Sequence, residues 1–102
     1  MNMKMLIIVF NISVQAEVHE LLEKCHCPCF TQWPRLTGTG KSTGPKLDDN
    51  IWPGANSALM VVCDEQQAAA LMQAVQALRD EIGEHEGIKA FQLPVEKMTG
   101  DF

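Results

Sequence analysis

The sequence has little positive charge. Among its 102 residues, 8 are Lys or Arg and 13 are Asp or Glu, which gives a formal net charge of −5. No run of basic residues interrupts this acidic balance. Proteins that bind nucleic acid present basic patches to the phosphates. The composition therefore argues against nucleic acid as a partner.

Long hydrophobic runs are also lacking. The longest, Met5 to Phe10, is far too short to cross a bilayer, and it follows only Lys4 without a small-residue cleavage pattern behind it. We therefore expect a cytoplasmic protein with no direct membrane insertion. At this length a single core forms but is thin. We expect one domain over residues 1–102 that buries further surface by self-association.

Cysteine is sparse except for one cluster. Cys25, Cys27 and Cys29 are too close together to join distant elements, so the sequence favours a reduced compartment over a secreted disulfide framework. With His26, they supply thiolate and imidazole ligands suited to zinc or copper(I). Because structural zinc sites prefer wider spacing, a metal site in this cluster needs further ligands, from His19 or another subunit. The alternative to a metal site is that Cys25 is a small buried helix residue and that Cys27 and Cys29 lie in an ordinary connector.

Hydrophobic patterning predicts four strands. Continuous apolar runs with branched residues are typical of buried strands, and they occur at 5–10 and 58–63. A weaker strand is predicted at 30–36, where Pro34 lacks an amide donor and so belongs at a sheet edge or a bulge. The last strand is predicted at 88–95.

Two amphipathic helices separate these strands. The first follows a cap at Asn11 or Ser13 and ends before the second strand. The second begins at Asp64, which forms a capping-box-like pair with Gln67, and stops at Gly83. The predicted order is strand, helix, strand, loop, strand, helix, strand.

This order predicts a ferredoxin-like α+β sandwich, with two βαβ units, a four-stranded antiparallel sheet and both helices on one face. The other sheet face would be bare, and we expect copies of the chain to cover it in a closed cyclic oligomer. Because many activities share this scaffold, the loops must decide the function. No nucleophile, base and orienting group can be assembled from the sequence, so we expect a protein that is not an enzyme.

The loop from residue 37 to 55 is long and rich in glycine, and such loops are usually functional or disordered. Within it, Gly40-Lys41-Ser42 is similar to the end of a P-loop. That motif requires glycine where Arg35 stands, and a helix where Gly44-Pro45 follows. Glycine amides and one lysine can nevertheless cradle a phosphate without a helix.

The run from Leu36 to Gly44 resembles the base of the long T-loop of PII signal-transduction proteins, in which a strand ends in Gly-x-Gly, a basic residue, two polar residues and glycine. Residues 87–96 resemble a loosened form of that family's second nucleotide loop and last strand. The resemblance implies a homotrimer that binds an adenine nucleotide (ATP, ADP or AMP) in clefts between subunits. It also implies control of a target protein, such as a membrane transporter, through the long loop. The nucleotide-binding residues it implies are Gly38, Gly40, Lys41, Gly87 and Lys89.

The chain departs from the PII pattern at several points. Ser42 stands where the family has a glutamine that helps hold magnesium and 2-oxoglutarate, and no tyrosine is present for modification. The stretch from Glu84 to Lys89 lacks the family's Gly-Asp-Gly-Lys run. The resemblance therefore indicates a PII-like regulator rather than a nitrogen-sensing PII protein.

The alternative prediction is a metal-binding or heavy-metal-tolerance protein. It would resemble the trimeric CutA family, or a PII-like protein that accompanies a metal-efflux transporter. It would bind zinc or copper, and its ligands would be Cys25, His26, Cys27 and Cys29.

Overall fold

The predicted element order is observed, with one addition. The computed structural model describes residues 2–41, 43–49, 54–83 and 86–100. Within the segment expected to be a long T-loop-like loop, two short strands, β3 and β4, pair as an antiparallel hairpin. The elements are β1 (Met3–Asn11), a 3-10 turn (Ile12–Val14), α1 (Gln15–Lys24), β2 (Thr31–Leu36), β3 (Gly38–Gly40), β4 (Gly44–Lys46), β5 (Asn56–Asp64), α2 (Glu65–Ile82) and β6 (Ile88–Pro94).

The main sheet has four strands in the order β2-β5-β1-β6, and all pairs are antiparallel. β1 lies in the middle, so that Ile7 faces Met60 on β5 and Phe91 on β6. This topology is the predicted ferredoxin-like arrangement. β2 is an edge strand whose register shifts between Trp33 and Leu36, around the proline that cannot donate to a ladder.

The helix boundaries follow from the predicted caps. The Asn11 side chain accepts a hydrogen bond from the Ser13 amide at 3.1 Å and begins the 3-10 turn. Asp64 and Gln67 form a reciprocal capping box, with bonds of 2.7 and 3.2 Å. α2 ends at Gly83, whose φ of 84° is readily available to glycine.

The core lies between the helices and one face of the sheet. On β1, Leu6, Ile8 and Phe10 are buried against the helices, whereas the intervening residues point to the other face and are partly exposed. That second face carries three large exposed side chains, which are Trp33, Phe91 and Leu93. We call it the bare face. Among the described helices, none has the length and apolarity needed to cross a membrane.

Candidate functional site

A cleft of about 600 Å³ lies between the β3–β4 hairpin, the start of β6 and the end of α2. Its size falls within the range of small-molecule sites, roughly 300–1,000 Å³. The structure brings all of the predicted nucleotide-binding residues to the lining of this one cleft. They are Gly38, Gly40, Lys41, Gly87 and Lys89.

Two of these glycines occupy positions where a side chain would not fit. A Cβ at Gly40 would collide with the side chain of Thr43. A Cβ at Gly87 would lie 3.1 Å from Lys46 Nζ and 3.1 Å from Thr43 Cγ2, and Gly87 has a φ of 68°. Contacts and backbone conformation both favour glycine at position 87, whereas at position 40 the contact with Thr43 alone does.

The two predicted lysines line the cleft in different segments of the chain. Lys41 follows the first hairpin strand, and Lys89 follows Ile88 on β6, with both side chains exposed. The Lys89 ammonium lies 5.8 Å from the centre of the Phe91 ring, on the bare face of the sheet. Both lysines therefore combine an exposed side chain with a place in the cleft lining.

Two basic residues of the lining were missed by the sequence analysis. Lys46 is buried, with 8% of its surface exposed, and its Nζ donates to Asn56 Oδ1 at 3.5 Å. Burial lowers the pKa of this ammonium, and the nearby charge of Glu86 partly opposes the shift. Arg79 donates from Nη1 to the Ile88 carbonyl at 2.6 Å and so ties α2 to β6.

The sequence pattern predicts that both residues are exposed to solvent. A lysine in a polar, glycine-rich loop is typical of an exposed residue. Helical periodicity places Arg79 on the solvent side of α2. Both residues line the cleft because the fold brings together segments that are far apart in the sequence.

The chain beyond the hairpin is tied to the edge strand. Arg35 on β2 forms two hydrogen bonds with Asp48, 2.8 Å from Nη2 and 3.1 Å from Nε. This pairing raises the pKa of the Arg35 guanidinium and lowers that of the Asp48 carboxyl. Asp48 has a φ of 57°, and its amide donates to the Gly54 carbonyl at 3.0 Å. These contacts hold Asp48 against both Arg35 on β2 and Gly54.

The predicted metal ligands do not converge. Cys27 is buried against Cys63, and its pKa is raised to about 12, chiefly by burial. Cys25 is partly exposed, with a pKa also raised by burial, and Cys29 is exposed. Among the described residues, no group of three or more His, Cys, Asp or Glu side chains is placed to hold a metal ion.

The two histidines near this cluster have different roles. His26 adopts a left-handed backbone (φ 58°), and its carbonyl accepts a hydrogen bond from Gln67 Nε2 at 2.9 Å. His19 lies 3.1 Å from Gln32 Oε1 and stacks near the ring of Phe30, at 5.2 Å between centroids. The structure therefore gives no support to a zinc or copper centre built from this cluster.

Solved structures share this fold at low sequence identity. CPII, a nitrogen regulatory PII-like protein from Thiomonas intermedia K12 bound to ADP, AMP and bicarbonate, has a TM-score of 0.71 at 15% identity, over 95% of this chain and 91% of that chain. A putative PII-like signalling protein from Thermus thermophilus has a TM-score of 0.61 at 18% identity, with coverages of 92% and 87%. A DUF3240 family protein from Shewanella baltica has a TM-score of 0.70 at 12% identity, with coverages of 98% and 97%.

Among curated protein sequences, none matches this chain. The family profile described as "Nitrogen regulatory protein P-II", in contrast, matches residues 3–100. That span includes both helices, the four-stranded sheet and both glycine segments of the cleft. The chain therefore belongs to the nitrogen regulatory protein P-II family, as a divergent PII-like member.

Proposed function

We propose that this protein is a non-catalytic PII-like regulator that binds an adenine nucleotide in the cleft and controls a target protein through residues 37–55. The observation that carries the proposal is the convergence of two distant glycine-and-lysine segments, 38–41 and 87–89, on one cleft. The binding of ADP and AMP by CPII, which has the same fold, supports the choice of ligand.

The lining has the chemistry that a nucleotide requires. Lys41 and Lys89 supply point charges for phosphates, and glycines let backbone amides approach them closely. Apolar surface for a base comes from Val9, Leu36 and Phe91. The described lining holds cations, hydroxyls and an amide but no Cys, His, Asp or Glu, a set suited to holding an anion.

A homotrimer would complete this site. Lys89 and Phe91 belong both to the cleft lining and to the bare face. A subunit packed on that face would therefore also contact the cleft at Lys89 and Phe91. Apolar side chains exposed on a sheet are typical of surfaces that associate. In this arrangement nucleotide binding and assembly stabilise each other. The hairpin would then contact a target, such as a transporter, differently when nucleotide is bound.

The test is calorimetric titration of the purified, reduced protein with ATP, ADP and AMP. We expect saturable binding by the wild type and a loss of roughly tenfold or more in Lys41→Ala and in Lys89→Ala, because each removes one phosphate contact. Lys24→Ala is the matched control, since Lys24 is exposed on α1 and pairs with Glu20. Absence of binding by the wild type, or equal affinity in all the lysine variants, would contradict the proposal.

A further inference from the structure

Glu86 is a carboxylate that interacts with both Ser13 and Lys46. Its Oε2 accepts a hydrogen bond from Ser13 Oγ at 3.1 Å. Burial lowers the pKa of the Lys46 ammonium, and the charge of Glu86 opposes that shift. Within the described ranges of the chain, the two charged side chains do not form an ion pair. The carboxylate therefore lies with the hydroxyl rather than with the ammonium.

Lys46 is nevertheless a cation that a carboxylate would stabilise. Only 8% of its surface is exposed, and Asn56 Oδ1 lies 3.5 Å from Nζ, at the outer limit of a hydrogen bond. Burying an ammonium is costly unless a partner compensates the charge. The ammonium ends beside Gly87, the residue after Glu86, where an added Cβ would stand 3.1 Å from Nζ. A change of the Glu86 rotamer would thus bring its carboxylate toward Lys46.

The turn that carries Ser13 is bound to both neighbouring segments. The Asn11 amide donates to the Gly87 carbonyl at 2.9 Å, and the Ile12 amide donates to the Ala55 carbonyl at 3.2 Å. The Ser13 amide is held by the Asn11 side chain at 3.1 Å. These bonds fix the place of the Ser13 hydroxyl beside the segment that leads into β6.

One hydrogen bond is enough to decide where this carboxylate lies. The Glu86 side chain is exposed and is not part of the cleft lining. A carboxylate that leaves water to join a buried ammonium loses hydration, and this loss can cancel most of the Coulomb attraction. A hydrogen bond from a hydroxyl to a carboxylate, in contrast, is stronger than one between neutral groups. The bond from Ser13 therefore favours the position outside the lining.

We propose that Ser13 is a positioning residue of the nucleotide site, which holds the Glu86 carboxylate away from Lys46 and so keeps the cleft positive toward phosphates. The described lining carries cations and no carboxylate. A Glu86 side chain turned toward Lys46 would add a negative charge there and repel a nucleotide. The inference rests on the proposed function for its effect on affinity, but the contact itself can be tested without nucleotide.

The first measurement is the pKa of the Lys46 ammonium, by NMR titration of the lysine Cε signals in the purified full chain without nucleotide. Ser13→Ala should raise this pKa, because the released carboxylate approaches the ammonium. Glu86→Gln should lower it, because the opposing charge is lost. Ser13→Thr keeps the hydroxyl and should leave the wild-type value. Alanine at position 13 retains the turn, since Asn11 binds the backbone amide there.

The second measurement is calorimetric titration of the same samples with ADP. Ser13→Ala should weaken binding by roughly threefold to tenfold, and the double variant Ser13→Ala/Glu86→Gln should restore it, because a neutral amide adds no negative charge. Gln76→Ala is the matched control, since it removes an exposed hydrogen bond to the Asp80 carboxylate on α2. It should change neither the Lys46 pKa nor the affinity for ADP.

The outcomes separate the two proposals. An unchanged Lys46 pKa in Ser13→Ala would overturn the inference. A loss of ADP affinity that Glu86→Gln does not restore would also overturn it, because Ser13 would then act only through the structure of the turn. Opposite shifts of the Lys46 pKa in Ser13→Ala and Glu86→Gln, without any ADP binding by the wild type, would support the contact and remove the nucleotide proposal.

Discussion

Gly87 lies directly against the ammonium of Lys46, so that a methyl group at position 87 would stand 3.1 Å from Nζ. The contact joins the end of the β3–β4 hairpin to the start of β6, two segments that are far apart in the sequence. It is reinforced where the Asn11 amide donates to the Gly87 carbonyl at 2.9 Å. The cleft lining at Gly87 is therefore held by backbone as well as by side chains.

Gly87→Ala should distort the cleft more than alanine does at another glycine with a positive φ. An alanine at a φ of 68° is strained by about 1–2 kcal/mol, and its methyl group would also press on Lys46 and Thr43. Gly44→Ala is the matched control, since Gly44 has a φ of 72° but nothing within 4 Å of an added Cβ. Urea denaturation should show a loss of stability in both variants.

Nucleotide titration should separate the two glycine variants. We expect affinity to fall by roughly tenfold or more in Gly87→Ala and to change little in Gly44→Ala, because only the first displaces groups of the lining. Equal affinities in the two variants would show that the contact with Lys46 has no part in binding.

Asp48→Asn tests whether the pair with Arg35 holds the segment that follows the hairpin. Asparagine tolerates the left-handed φ of 57°, so the change removes the charge and one acceptor without new backbone strain. Because both side chains are exposed, we expect little change in the thermal midpoint. Limited thermolysin digestion should cleave between residues 47 and 55 faster than in the wild type. Glu20→Gln, which breaks the exposed pair with Lys24, is the control, and equal cleavage rates in both would refute the idea.

The main fold was predictable because its signals are local. The apolar run of β1, the capping box of Asp64 and Gln67, and the stop at Gly83 each depend on neighbouring residues. The hairpin was not predictable, because its pairs are Gly38 with Lys46, Thr39 with Pro45 and Gly40 with Gly44, with no alternation of apolar and polar side chains.

The site was predictable only in part, for a similar reason. The resemblance to the PII loops singled out Gly38, Gly40, Lys41, Gly87 and Lys89, and all five line the cleft. Lys46 was missed because its burial comes from contacts with Gly54, Asn56 and Gly87, which the fold brings together. Cys27 was assigned to a metal site or a connector, but the left-handed turn at His26 returns it to the core.

Cys27 should make the protein less stable as the pH rises. Its thiol has an ordinary pKa of 9.0 and a folded-state pKa of about 12. The unfolded chain therefore loses this proton first, and the stabilising contribution is present below pH 9 and is lost toward pH 12. At about 1.4 kcal/mol for each pH unit, the loss reaches up to about 4 kcal/mol.

Urea denaturation under reducing conditions, at several values from about pH 8 to 11, measures this dependence. Cys27→Ala should flatten it, although Cys63 and Cys25, whose pKa values are also raised by burial, leave a residual slope. Cys29→Ala, which removes an exposed thiol outside the core, is the control. An unchanged slope in Cys27→Ala would show that the thiol does not remain protonated in the fold.

Phe91→Glu tests whether the bare face assembles copies of the chain. Phe91 is 48% exposed and lies on that face, on the edge strand β6 beside Ile7 of the central strand β1. In a trimer a carboxylate there would be buried without a partner, at a cost of several kcal/mol for each subunit. Sedimentation equilibrium should give three times the 11.3 kDa subunit mass for the wild type and the mass of one subunit for the variant.

Met98→Glu is the control for this experiment, because Met98 is 45% exposed but lies beyond β6. It should sediment like the wild type. Since Phe91 also lines the cleft, dissociation in Phe91→Glu should be accompanied by loss of nucleotide binding, whereas Met98→Glu should keep both properties. A wild type that sediments as a monomer yet binds nucleotide would show that one subunit forms the whole site, and the proposed contribution of a neighbouring subunit would be wrong.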